Sequence, residues 1–361
     1  MIGKQQAYSF SRVFLFFGCL SLLMLFDGAA DTGLTRELRL PPLWAVPEAL
    51  VFSDMGRYDH PGLSFALIVD KHRQQANLYR FDGYWRTMAK WPCSTGKVAG
   101  PKTIEGDQRT PEGVYFVTRD VGPRFLTETY GARALPLDYP NWLDRHLSRS
   151  GSAIWLHGTN KPLQARDTNG CIVLENATIE RLAPYLRLNR TPVIIVDRLR
   201  LWAEKNSRKA ADAILNAARQ WHAALLGSSY EAFAQWYEPK AAPSMHWWRR
   251  WCRQRRQVSS DEKCHSLMAQ RAIYRSGDYY VLMFDHVLSK ASRSQWVGRR
   301  KLYWSLEGTR ARICGGSYQA VSGGRREPLL RAWRRFNTTK KEGNRMASND
   351  RGRGQVSYSV E

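Results

Sequence analysis

The sequence predicts a mainly β first domain, a sandwich or barrel with short helices, followed by a smaller α+β domain. Two observations carry this. Between residues 62 and 198, short apolar runs of strand length alternate with Gly- and Pro-containing turns. At about Leu199 the pattern changes to helical spacing and then to longer strand-like segments. A chain of 361 residues is long enough for two cores.

Residues 1–30 read as a leader rather than as fold. Lys4 and Arg12 precede an apolar run from Val13 to Phe26, and small residues follow. That order predicts a secretory signal cut after Ala30, or an uncleaved anchor. The run is short of the roughly 20 residues that span a bilayer. Either way the body of the protein is exported, to the periplasm or cell envelope of a bacterium. Residues 31–61 are Pro-rich and read as an irregular spacer. In 62–198, "LSFALIVD" is the first strand. Two alternating segments around Asp82-Gly83 give a hairpin. "GVYFVTRDV", "AIWLHG", "GCIVL" and "TPVIIVD" are further strands. "NATIERLAPYL" has helical spacing, with Asn176 as its N-cap. In 204–320, two helical segments break at "GSS", and "DYYVLMFDHVLSK", "SQWVGRRKLYWSLEG" and "RARICGGSY" are strands. Residues 338–361 form a polar, basic tail predicted to be disordered. No internal repeat is visible.

The net charge is +23. Residues 201–361 hold 30 Lys and Arg against 13 Asp and Glu, a net +17, much of it in "WWRRWCRQRR" and "WVGRRK". For an exported chain such a face suits an anionic wall polymer or membrane surface, or simply solvation, rather than nucleic acid. Of six cysteines, Cys19 lies in the leader. Five remain, so at least one thiol is unpaired in an oxidising compartment. Cys252 and Cys264 bracket a polar, turn-like stretch and are the expected disulfide. Cys93 and Cys314 read as small buried residues.

The stretch "IWLHGTNKPLQARDTNGCIVLEN", Ile154 to Asn176, concentrates the chemistry. His157 ends one strand and Cys171 begins another, and the loop between them can bring those ends together. A thiol beside an imidazole is a nucleophile with its base. Glycines at 158 and 170 leave backbone groups accessible. The same residues admit a satisfied histidine and a core cysteine. Metal binding is not expected, because zinc wants three or four ligands and no CxxC or HxxxH spacing occurs here.

Beyond spacing, "HGT" followed by "NGCIVL" resembles the active-site signature of the L,D-transpeptidase (YkuD-type) domain family. "LIVDKHRQQANLYRFDG", "CSTGKVAGPKTIEGDQRTPEGVYFVT" and "LDYPNWLDR" are similar to the rest of that domain, in order, over residues 62–198. The resemblance implies that Cys171 is the nucleophile, His157 the base, the Gly158 carbonyl the group orienting the imidazole, and the Gly170 and Cys171 amides the oxyanion hole. It implies no cofactor. The implied substrate is a peptidoglycan stem peptide containing diaminopimelate. The acceptor is another stem, a protein or water. Thr159, Arg166, Thr168 and Asn169 are the nearby candidates for substrate contact, and Lys161 lies in the same loop.

Two departures mark a divergent branch: Asn169 stands where the family usually has His, and Val173 and Leu174 follow Ile172 where an Arg is common. "RTPEG" (Arg109–Gly113) reads as a turn before a strand. Residues 204–320 resemble, by aromatic placement, a nuclear-transport-factor-2-like (SnoaL-like) domain. That resemblance implies a cone of helices against a curved sheet and a binding module. The leading expectation is therefore an exported cysteine L,D-transpeptidase. A same-fold L,D-carboxypeptidase or amidase and a non-catalytic wall-binding scaffold are the alternatives.

Overall fold

A computed structural model describes residues 45–54, 64–239, 241–258, 265–290 and 293–319. The leader (1–30) and the tail (338–361) lie outside the described residues. The strands β1 (Ala45–Pro47), β2 (Leu50–Ser53), β3 (Ser64–Asp70), β4 (Gln75–Phe81), β5 (Trp85–Pro92), β6 (Gly113–Phe116) and β7 (Ala134–Pro136) precede helix α1 (Trp142–His146). Then come β8 (Trp155–His157), β9 (Ile172–Val173), α2 (Asn176–Leu182), β10 (Pro192–Val196) and β11 (Leu201–Ala203). The remainder is α3 (Glu204–Leu226), α4 (Tyr230–Ala234), α5 (Met245–Val258), β12 (His265–Ser276), β13 (Tyr279–Lys290), β14 (Arg293–Glu307) and β15 (Arg310–Gln319).

These elements stack as layers, and side-chain alternation decides which core each residue joins. One sheet has the order β5-β4-β3-β10-β6, a second β15-β14-β13-β12-β2, and a third, small one β7-β8-β9. In β3, Leu67 and Val69 point into a core shared with the small sheet and α2, through Leu135, Leu156, Ile172 and Ile179. Ala66 and Ile68 point the other way, onto Ala272, Tyr274, Val281, Met283 and Tyr303 of the second sheet. The other face of that sheet, with Leu282, Phe284 and Trp304, packs under Ile214, Trp221, Trp248 and Trp251 of α3 and α5. The central strands of the first sheet, β3 and β10, are covered on both faces, which is why they read as near-continuous apolar runs. The mainly β class with short helices is what the sequence predicts. The loop at Asp82-Gly83 is the expected hairpin turn, with Gly83 at φ +112°.

Several expectations are corrected. The spacer 31–61 is not wholly irregular: β1 pairs with β11, and β2 pairs with β12 as the edge of the second sheet. The described residues accordingly lie in one compact unit, within Pro41–Glu361. Asn176 does not cap α2; Glu175 holds that position, because the Asn176 side chain is engaged elsewhere. Helix α5 occupies most of the supposed turn after Cys252, and the Trp residues it buries make it helical. Cys252 is a free thiol, and Cys264, its expected partner, lies outside the described residues. β12 escapes sequence reading because a bulge between Ala269 and Ala272, with Gln270 at φ 52°, breaks the alternation.

The seam between the two larger sheets is specific. Trp142 of α1 stacks on Tyr303, ring centroids 5.2 Å apart. It also lies over the bare backbone of Gly315, where a Cβ would fall 2.0 Å from the indole. Lys301 bonds Asp138 at 2.9 Å and sits 3.6 Å from the Phe116 ring centroid. This buried ammonium is tolerated because it is paired and faces a π surface.

Two outcomes follow. Gly315→Ala drives a methyl into Trp142 and lowers stability by about 1–3 kcal/mol in denaturant melts. Burial holds His222, on the buried face of α3, at a pKa of about 4. The unfolded chain, with an ordinary histidine near 6.5, binds that proton first. Stability contributed by neutral His222 is therefore present above about pH 6.5 and lost as pH falls toward 4, by about 3 kcal/mol at most. Thermal melts between pH 7.5 and 4.5 should show this slope, reduced in His222→Phe; an unchanged slope contradicts the assignment.

Candidate active site

The small sheet sets the geometry. β8 and β9 run parallel, with Leu156 opposite Ile172 and His157 opposite Val173. Leu156 and Ile172 are fully buried in the core. Successive side chains alternate faces, so His157 and Val173 point away from that core, and Cys171, two residues before Val173, shares their face. Neighbouring strands lie about 4.8 Å apart and two residues along a strand span about 6.6 Å, a diagonal an imidazole can bridge. Fourteen residues of sequence separation thus become one strand across and two residues along.

The imidazole is buried and oriented. His157 Nδ1 lies 2.7 Å from the Gly158 carbonyl oxygen. Because that oxygen only accepts, Nδ1 carries the proton and Nε2 is left with its lone pair. The Tyr130 ring meets the imidazole edge-on at 5.0 Å and also packs on Trp155 at 4.6 Å. Burial lowers the His157 pKa, against the opposing effect of the Gly158 bond. Burial raises the Cys171 thiol, partly offset by the Trp155 backbone. The thiol donates to the Ala153 carbonyl at 3.6 Å. Both shifts favour a neutral thiol beside a neutral imidazole over a preformed ion pair. Such an arrangement can deprotonate the thiol when an electrophile arrives.

The turn that presents Cys171 is stapled from within. Gly170 has φ +128°, and a Cβ there would lie 2.8 Å from the Arg109 carbonyl oxygen. Thr168 donates its hydroxyl to the Cys171 carbonyl at 2.7 Å and accepts from the Gly170 N–H at 3.1 Å. Thr110, fully buried, accepts from the Gly96 N–H at 2.8 Å and donates to the Gly170 carbonyl at 2.9 Å. Lys71 holds the segment carrying Thr110, bonding the Thr110 carbonyl at 2.9 Å and Glu112 at 2.9 Å. "RTPEG" is not the expected turn: Arg109–Glu112 is irregular chain and Gly113 begins β6, and its Thr braces the Cys171 loop from 60 residues away.

Among the candidates for substrate contact, the structure separates two groups. Asn169 is exposed beside Cys171, and Thr159 is half-buried beside Gly158. The Thr168 hydroxyl is consumed by the turn. Arg166 has its backbone N–H on Gln74 Oε1 at 2.9 Å, and its charge bears on buried Lys71; no hydrogen bond joins its side chain to His157 or Cys171 among the described residues. The Lys161 N–H bonds Thr159 Oγ1 at 3.0 Å. Sequence reading did not single out Tyr130, Gln74 or the crossing contacts of Asn176. Only bare glycines at 131 and 158 hinted that something packs closely there.

With this geometry in place, comparison with known proteins is direct. A family model described as YkuD, the L,D-transpeptidase catalytic domain, matches residues 64–195. Comparison with curated proteins gives no match. Among solved structures the chain is similar to Bd1075 of Bdellovibrio bacteriovorus, at 22% identity and a TM-score of 0.61, over 77% of this chain and 99% of that one. It is similar also to the helical cell shape determining protein Pgp2 of Campylobacter jejuni, at 21% identity and a TM-score of 0.55, over 75% and 94%. At such identities these likenesses speak to the fold. None of them supports the nuclear-transport-factor-2-like reading of residues 204–320. The strands that carry His157 and Cys171 fall inside the matched region, and residues 64–195 of this chain match the YkuD family, the L,D-transpeptidase catalytic domain.

Proposed function

We propose that this chain is an exported cysteine L,D-transpeptidase acting on diaminopimelate-containing stem peptides of peptidoglycan. The observation that carries the reading is the shared face of His157 and Cys171, with Nδ1 committed to Gly158 and Nε2 free to accept a proton. His157 Nε2 takes the thiol proton as Cys171 Sγ attacks the donor carbonyl. The tetrahedral oxyanion collapses to a thioester, and the terminal residue leaves as an amine carrying the proton from His157. The imidazole then takes a proton from the acceptor amine, which displaces sulfur and restores the thiol. The oxyanion role falls to the amides of Gly170 and Cys171; the Gly170 N–H must release Thr168 Oγ1 to serve.

A second reading, hydrolysis of the thioester by water, is favoured by exposed Asn169 standing where the family usually has His. The similarity in fold to a helical cell shape determining protein supports a part in cell shape; the periplasmic location rests on reading residues 1–30 as a leader. The exposed cations Arg249, Arg250 and Arg253 of α5 support contact between the C-terminal region and an anionic wall or membrane surface. A non-catalytic wall-binding scaffold is the reading left if the thiol proves inert.

Purified protein with tetrapeptide muropeptides, followed by mass spectrometry, separates these. Cross-linked dimers that have lost the terminal residue support transfer, and shortened monomers alone support hydrolysis. Cys171→Ala should abolish either product, and product surviving that change removes Cys171 from the chemistry. The pH dependence has a defined sign. The base must be neutral, and burial places the His157 pKa below the usual 6.5. The acid limb of kcat/KM should therefore fall below pH 6.5, and a limb above pH 7 contradicts His157 as the base.

A further inference from the structure

The side chain of Asn176 crosses between two loops that flank the imidazole. Its Oδ1 accepts from the Ala132 N–H at 2.8 Å, and its Nδ2 donates to Asn160 Oδ1 at 2.7 Å. Asn160 in turn donates to the Glu128 carbonyl at 3.1 Å. The same Oδ1 lies where no side chain fits on two glycines: a Cβ would come within 2.1 Å of it at Gly131 and 2.3 Å at Gly158. Gly131 has φ +60°, and the Gly158 N–H bonds the Arg133 carbonyl at 3.0 Å. One amide therefore packs directly against the peptide whose carbonyl orients His157, and it ties that peptide to the loop carrying Tyr130. Asn176 is the first residue of α2, rooted in the core through Ile179 and Leu182. The brace is anchored to a rigid element rather than to either loop.

We propose that Asn176 is a positioning residue that fixes the Gly158 carbonyl and through it the Nδ1–H tautomer of His157. The inference deepens the proposed function, since it says how the base is held. Without the brace the Gly158 peptide is free to tilt, Nδ1 loses its acceptor, and a share of His157 takes the Nε2–H form, which cannot deprotonate Cys171.

The test reads the tautomer itself. In full-length protein labelled with ¹⁵N-histidine at pH 8, His157→Gln identifies the His157 resonances. The wild type should show the Nδ1–H tautomer. Asn176→Ala should give a mixture, with alkylation of Cys171 by iodoacetamide slowed about tenfold. Asn176→Asp keeps the acceptor toward Ala132 and the contact with Gly158 but loses the donor to Asn160, and should show less admixture than Asn176→Ala. If Asn176→Ala fails to fold, Asn160→Ala removes only the Nδ2 partner and should show a smaller admixture. An unchanged tautomer in the variant that folds, even with a lowered melting temperature, overturns the proposal. Because the readout needs no substrate, inactivity toward muropeptides overturns the proposed function and leaves this inference intact.

Discussion

The parallel pairing of β8 with β9 is the constraint on which the candidate site depends. Two residue pairs, Leu156 with Ile172 and His157 with Val173, fix the register. Burial of Leu156 and Ile172 in the core shared with β3 and β10 makes a slip costly, since a one-residue shift of β9 would turn Ile172 outward, and one of β8 would turn Leu156 outward and His157 inward. Each such side chain is worth about 1.5–3 kcal/mol of burial. The imidazole and the thiol inherit their common face from that apolar arrangement.

So short a sheet cannot hold a turn by itself, and the long-range contacts around it are correspondingly dense. On the Cys171 side, Thr110, Thr168 and buried Lys71 close the Gly170 turn from inside. On the His157 side, Gly158, Asn176 and Tyr130 hold the ring. The polar groups in these braces are satisfied by one another, which lets them be buried beside His157 and Cys171. Burial also disfavours the charged form of both side chains.

The C-terminal sheet bears on this scaffold through the far face of β3 and β10. Ala66, Ile68 and Ile194 are as much part of its core as Tyr274 and Met283. Trp142, stacked on Tyr303 and lying over Gly315, joins α1 of the matched domain to β14 and β15. The second sheet is therefore structural support for the first, whatever else it binds.

Much of this was legible in the sequence. Strand-length apolar runs, the Asp82-Gly83 turn, the helical spacing of α2 and α3, and the "HGT…NGC" segment are local patterns, and local sterics and periodicity decide them. His157 and Cys171 stand out as candidates because their residue types and motif order suit a base and a nucleophile. The roles of Thr110 and Asn176 were not, because a hydroxyl or an amide reads the same whether it caps its own turn or crosses to a loop 44 or 60 residues away. Nor could alternation reveal that β1 and β2 leave the supposed spacer to pair with β11 and β12, since an edge strand's partner is chosen by nonlocal hydrogen bonds. Local pattern marks the residue types able to do chemistry and strands such as β3, β10, β13 and β14, but not β1, β2 or β12. Which faces the strands share, and which distant side chains hold them, come from packing, because burial and hydrogen-bond satisfaction are properties of the packed chain.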